Sequence, residues 1–290
     1  MSDLAASELP LNDDGSIYHL ALHPDEIAHT ILIAGDPARA RKIASYFDRI
    51  EFERQNREFC TFTGELNGKR LSAMSTGIGT DNIDIALNEL DALVNIDLQN
   101  RQIKPNKTEL EIIRLGTCGA LQEGIEIDSF VASKYGFGFD GLLNFYQVEY
   151  SKDEMEIRDA FIAHSSFPDE WSRPYVVRGD QGLLNKVAHD LLIGITATAP
   201  GFYAPQGRKL RASLNIEDMN DHLRSFQWQN ERFVNFEMET SALFGLSKIL
   251  GHKAATVCTV VANRMRKEKS KNYQLAVSRM IEQCLERLTA

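Results

Sequence analysis

Short apolar runs alternate with segments of helical periodicity from residue 30 to the C-terminus, and that alternation leaves few folds open. TILIAG (30–35), LEIIRLG (110–116), IDSFVASKYG (127–136), LLIGITATA (191–199) and HKAATVCTVVANR (252–264) read as buried strands. Between them lie helices. DPARARKIASYF (36–47) has Asp36 as a candidate N-cap and Pro37 at the first helical position. A helix from about Asp81 carries Ile83, Ala86, Leu87, Leu90 and Val94 on one face. MNDHLRSFQWQ, METSALFGLSKIL and the last 20 residues also read as helices. Strands and helices in alternation imply α/β layers around a largely parallel or mixed sheet. FCTFTGEL and RLSAMST, joined at Asn67-Gly68, form a hairpin that makes it mixed. The expected architecture is a single-domain three-layer α/β/α fold around a central mixed β-sheet. Residues 1–17 read as a loose N-terminal arm and 18–290 as the domain. Residues 99–109 read as a polar surface connection, and 136–175 as a surface excursion.

Charge narrows the partners. The 32 lysines and arginines against 41 aspartates and glutamates give a net charge of −9, which argues against nucleic acid or an anionic membrane surface as the partner. No apolar run reaches the length of a membrane span, and the polar start MSDLAASELPLNDDGS argues against a signal peptide. Cys60, Cys118, Cys258 and Cys284 are scattered without a C-x-x-C pair, as in a cytoplasmic protein with reduced thiols. His19 and His23 lack a third ligand nearby, so no metal is expected.

Four segments carry chemistry. Gly35-Asp36-Pro37 with Arg39 sets a glycine, helix-start amides and a cation together, which suits an anion. Arg114 before the loop Gly116-Thr117-Cys118-Gly119-Ala120 does the same with a hydroxyl added. No Walker phosphate loop and no G-x-G-x-x-G is present. Asn235-Phe236-Glu237-Met238-Glu239-Thr240 reads as a helix start whose two carboxylates point apart, one of them free to hold vicinal hydroxyls. Phe202-Tyr203-Ala204-Pro205-Gln206-Gly207-Arg208 offers an aromatic, an amide and a guanidinium to a flat heterocycle.

Together and in this order, GDPARARKI, NREFCTFTGEL, STGIG, EIIRLGTCGA, FYAPQGR, NFEMETSAL and VVANR resemble the nucleoside phosphorylase family, and within it the uridine phosphorylases. The likeness runs from Tyr18 to Arg264. It implies reversible phosphorolysis of uridine, and of deoxyuridine as a further candidate, to the free base and the sugar 1-phosphate. Phosphate is then a co-substrate, and no cofactor is needed. By that likeness Gly35, Arg39, Arg57, Arg114 and Thr117 bind phosphate. His19, Met238 and Glu239 bind ribose, and Phe202, Gln206, Arg208 and Arg264 bind the base. Arg208, Gln206 and Arg114 carry the catalysis. His19 and Arg57 cross to a neighbouring subunit, which makes a homodimer the minimal unit and leaves a hexamer open. Purine-cleaving relatives place an aspartate after the last apolar strand, where this chain has Ala262-Asn263-Arg264. Thr80-Asp81-Asn82 departs from the bacterial Gly-Pro-Ser, so the resemblance leaves open whether a monovalent ion binds at Glu58 and the Ile78 carbonyl. The alternatives are a purine nucleoside phosphorylase, a hydrolytic nucleosidase and a non-catalytic nucleoside-binding homologue. Arg39, Arg57, Arg114 and Glu239 are all retained, which speaks against the last two.

Overall fold

A computed structural model describes residues 4–165 and 167–290. In chain order the first half runs β1 (Thr30–Ala34), α1 (Pro37–Ala44), β2 (Arg49–Asn56), β3 (Phe59–Leu66), β4 (Lys69–Ser75) and α2 (Thr80–Asn95). The short β5 (Ile96–Asp97) and β6 (Gln102–Ile103) lead to β7 (Glu111–Ala120), β8 (Phe130–Gly138) and α3 (Lys152–Ser165). The second half holds β9 (Tyr175–Arg178), α4 (Gln181–Ala188), β10 (Leu192–Thr198), α5 (Met219–Ser225), β11 (Gln227–Trp228) and β12 (Glu231–Glu237). It ends with α6 (Thr240–Leu250), β13 (Lys253–Asn263), β14 (Glu268–Lys269) and α7 (Tyr273–Thr289).

The central sheet is mixed, as expected. β1 lies parallel to both β4 and β7, and β7 lies parallel to β13. β8 runs antiparallel to β13 and parallel to β10, β10 parallel to β12, and β12 antiparallel to β7. Those five pairings close on themselves, so β7, β13, β8, β10 and β12 form a small barrel at one end of the open sheet. The hairpin between β3 and β4 turns at Asn67 and Gly68, whose φ values of 52° and 76° supply the left-handed pair a two-residue turn requires.

Helices cover both faces. Leu87, Leu90 and Leu93 of α2 pack with Leu243 and Leu246 of α6 on one side. Ile43 of α1, Leu184 of α4 and Ile281 of α7 pack on the other. Burial of each such side chain contributes roughly 1.5–3 kcal/mol. Asp36 caps α1 by accepting from the Ala38 amide at 2.9 Å, and Pro37 occupies the first turn.

Several expectations need correcting. Residues 116–120 are not a loop, because β7 continues beside β13 as far as Ala120. Gly116 is there for space: a side chain at this position would meet the Arg114 guanidinium and, at 2.8 Å, the Cys258 sulfur. From residue 4 the N-terminal segment is not loose, since Leu9 and Ile17 are buried in the main core. Nor is 136–175 merely a surface excursion. Ile157 and Phe161 of α3 bury against Phe137, Phe226 and Phe233, a mainly aromatic cluster. β2 and α4 went unforeseen, and the helix expected over 219–229 stops at Ser225, with β11 following.

Candidate active site

The ends of β1, β7, β12 and β13 converge with the 202–208 turn on a cavity of about 250 Å³. Gly35, Arg39, Arg114, Thr117, Phe202, Gln206, Arg208, Met238 and Glu239 line it, as do Cys118 and Ile78. Four separate sequence segments thus meet in one place. A larger cavity of about 670 Å³ lies between Ser151–Glu154, Arg178–Gln181 and the end of α6, and contains none of these residues. Its buried Glu154 is already engaged by Lys248 and by the amides of Ser151 and Arg178.

Arg114 organises the anion end. Its side chain projects from the middle of β7 and is 7% exposed. Nη1 lies 3.3 Å from Glu237 Oε2 and donates to Cys258 Sγ at 3.1 Å, while Nη2 bonds Glu239 Oε2. Burial opposes its charge, but Glu239, Glu237 and Cys258 outweigh that and hold its pKa above the ordinary value. Arg39 is different. Burial first, and then the Arg114 cation, push its pKa down. Arg39 Nη1 donates to the Leu115 carbonyl at 3.2 Å, and among the described residues no ion pair neutralises it. A cation in that state favours an incoming anion.

The carboxylates do not sit as the sequence suggested. Residues 235–237 end β12, Glu239 is the N-cap of α6, and the helix begins at Thr240. Both carboxylates therefore turn to one guanidinium instead of splaying apart. Glu237 Oε2 also accepts the amides of Glu239 and Thr240, each at 2.9 Å, and so caps α6. Its other oxygen accepts from Thr198 Oγ1 at 2.7 Å. Burial raises the Glu237 pKa, Arg114 opposes the rise, and Glu239 adds to it. Glu239 Oε1 accepts the Gly79 amide at 2.9 Å.

The 202–208 turn builds the other end. Gly207 takes φ 68°, a left-handed conformation that reverses the chain between Gln206 and Arg208. Arg208 then lies over the Phe202 ring, 3.7 Å from its centroid, and donates to Gln206 Oε1 at 2.7 Å. Arg264 stands behind the turn. It is not a lining residue, but it donates to the Gln206 backbone carbonyl, and its Nη2 is buried without a hydrogen-bond partner. Burial, then repulsion from Arg208, lowers the Arg264 pKa to about 10. Burial likewise lowers that of Arg208. Among the described residues neither has a carboxylate partner.

His19 and Arg57 lie apart from the cavity lining. His19 Nδ1 is 2.6 Å from Glu89 Oε1, and Arg57 stands 5.9 Å from the ring of Tyr18. Sequence reasoning missed Glu237, Cys258 and the Gly79 amide as partners of the site. Reading 235–239 at strand spacing, where residues two apart share a face, would have found the first.

Comparisons with known proteins give the family. The model of the phosphorylase superfamily matches residues 29–290. The uridine phosphorylase of Thermococcus kodakarensis is 32% identical over 274 residues, covering 92% of this chain and 84% of that protein. A DeoD-type purine nucleoside phosphorylase of Alkaliphilus metalliredigens is 30% identical over 243 residues, 83% of this chain and 85% of that one. A crystal structure of a Trypanosoma brucei nucleoside phosphorylase, described as showing uridine phosphorylase activity, superposes with a TM-score of 0.88. It is 31% identical and covers 97% of this chain and 99% of its own.

Proposed function

Because the chain belongs to the phosphorylase superfamily and is a pentosyltransferase acting on nucleosides and phosphate, we propose that its nucleoside is uridine. The relatives include both uridine and purine nucleoside phosphorylases, so the choice of base rests on the site itself. One observation carries it. Arg208 lines the base end of the cavity beside Gln206, Arg264 stands behind the same turn on the Gln206 carbonyl, and among the described residues neither cation has a carboxylate partner.

The chemistry follows from charge. A phosphate oxygen forms its bond to C1′ as the C1′–N1 bond breaks, and the bonding pair leaves with uracil. Positive charge develops on the ribose and negative charge on the departing base. Uncompensated guanidinium groups stabilise a pyrimidine anion without transferring a proton. A purine leaving group is better served by an acid, and the Ala262-Asn263-Arg264 segment has none. The Asn263 amide already donates to the Gln122 and Ile125 carbonyls, and its oxygen accepts from Met265 and Arg266.

Phosphate binds at Gly35, Arg39, Arg114 and Thr117, with Arg57 supplied by a neighbouring copy. Ribose lies against Met238, and Glu239 accepts from its 2′- and 3′-hydroxyls. His19 of the neighbouring copy reaches the 5′-hydroxyl. Phe202 flanks the base, and Gln206 and Arg208 take its polar edge. Holding the nucleophile in line, and binding the charge-separated transition state more tightly than the substrates, accelerates the reaction without a cofactor or covalent intermediate. The location of His19 and Arg57 outside the lining of their own cavity supports a homodimer as the smallest complete unit. Among the described residues no helix is long and apolar enough to cross a membrane, which is compatible with a cytoplasmic role in nucleoside salvage.

The test is release of uracil from uridine with and without phosphate. Release only with phosphate, accompanied by ribose 1-phosphate, supports this function. Release in phosphate-free buffer indicates a nucleosidase, and binding without release indicates a nucleoside-binding homologue.

A further inference from the structure

Glu89 is a carboxylate on the otherwise largely apolar inner face of α2 and is only 8% exposed. Among the described residues, every hydrogen bond of its carboxylate goes to one short segment. It accepts the backbone amides of His19, at 3.1 and 3.0 Å, and of Leu20 at 2.9 Å, and it meets His19 Nδ1 at 2.6 Å. Two amide bonds are enough to anchor the chain. The third fixes the ring.

We propose that Glu89 is a positioning residue that selects the tautomer and direction of His19 for recognition of the nucleoside 5′-hydroxyl. This rests on the reading that His19 serves the site of a neighbouring copy. An ionised carboxylate has no hydrogen to give, so the proton in the short Nδ1 contact belongs to the imidazole. Nε2 of the neutral ring is then the acceptor, and it suits a donating hydroxyl. The other faces of the ring are confined. Tyr18 packs edge-on with centroids 4.8 Å apart, Phe59 does so at 6.4 Å, and Asn56 Nδ2 holds the His19 carbonyl at 2.9 Å. The side chain remains 23% exposed. Because Glu89 lies on α2, and α2 begins at the Gly79 amide bonded to Glu239, one helix links the histidine to the ribose carboxylate of its own chain.

The experiment compares kcat/KM for uridine and 5′-deoxyuridine, with saturating phosphate, in the full-length assembled enzyme. Wild type, His19→Ala, Glu89→Gln and the double variant are measured together. Glutamine keeps an oxygen for the backbone amides but loses the charge that holds Nδ1–H. The preference for uridine should fall about fivefold in His19→Ala, which is roughly the value of one hydrogen bond. It should fall by a similar factor in Glu89→Gln, mainly through KM, and no further in the double variant. The loss on 5′-deoxyuridine, which has no hydroxyl to recognise, should be smaller in all three.

Equal losses on both substrates in Glu89→Gln would make Glu89 a structural anchor and overturn the proposal. A changed preference in His19→Ala with none in Glu89→Gln would overturn it alone, and His19 would keep its role. An unchanged preference in His19→Ala would remove that role and this proposal with it. If Glu89→Gln does not fold, ¹⁵N spectra of the His19 ring in the unaltered protein decide. A protonated, pyrrole-type Nδ1 is expected, and a pyridine-type Nδ1 contradicts the proposal.

Discussion

The guanidinium of Arg114 bonds the carboxylate of Glu239, whose other oxygen accepts the Gly79 amide at 2.9 Å. One ion pair thus joins the residue assigned to phosphate with the residue assigned to ribose. Arg114 also holds Glu237, so the cluster sets two carboxylates on one guanidinium. The unneutralised Arg39 beside it offers the phosphate a compensating cation. The halves assigned to the two substrates are therefore linked electrostatically.

Glu239→Gln tests the ribose half. The amide keeps an acceptor for Gly79 but loses the charge facing Arg114 and the hydroxyls. kcat/KM for uridine is expected to fall by about 100-fold, with a smaller loss on 2′-deoxyuridine. Full activity on both, followed by ultraviolet absorbance, would contradict the assignment.

Arg208→Ala tests the leaving-group half. Removing one preorganised donor should lower kcat/KM for uridine by about 10²–10³, with the KM for phosphate little changed. A loss confined to phosphate affinity would place Arg208 at the wrong end of the cavity.

Subunit mixing tests the shared site. Tyr18 lies edge-on to His19 and beneath Arg57, so a given site receives both residues from the same neighbour. Mixing His19→Ala with Arg57→Ala subunits should then restore nothing. Mixing Arg57→Ala with Glu239→Ala should restore up to about a quarter of wild-type activity, from heterodimers with one complete site. No recovery in the second mixture would argue against crossing residues.

Cys284 predicts an alkaline stability loss. Burial within α7 pushes its thiol up to about 12, with Arg287 opposing. The unfolded thiol ionises first as pH rises, so the stabilising contribution is whole below the unfolded pKa and is lost between roughly pH 9 and 12. The loss approaches about 1.4 kcal/mol per pH unit within that window. Urea unfolding at about pH 8 and about pH 10.5 should show a flatter decline for Cys284→Ala than for wild type. Parallel declines would contradict it.

Much of this was legible in local sequence. The strand 30–34, the Asp36 cap, the Asn67-Gly68 turn and the helix carrying Leu87 and Leu90 follow from spacing and turn chemistry. The cavity brings together nine of the expected site residues because each segment's chemistry was local to it. What escaped depends on distant partners. Gly116-Thr117-Cys118-Gly119 looks like a loop unless β13 is known to lie beside it. β2, RIEFERQN, is too charged to look like a strand, and its place beside β3 on the outer margin of the sheet tolerates that. Burial of Leu9 and Ile17, and the turning of Glu237 toward Arg114, are likewise tertiary facts.

The choice of base is most directly tested by kcat/KM for uridine and for inosine, measured side by side at saturating phosphate. The cations Arg208 and Arg264, with no carboxylate partner among the described residues, predict efficient cleavage of uridine and little of inosine. Cleavage of inosine as fast as uridine, or faster, would contradict that assignment.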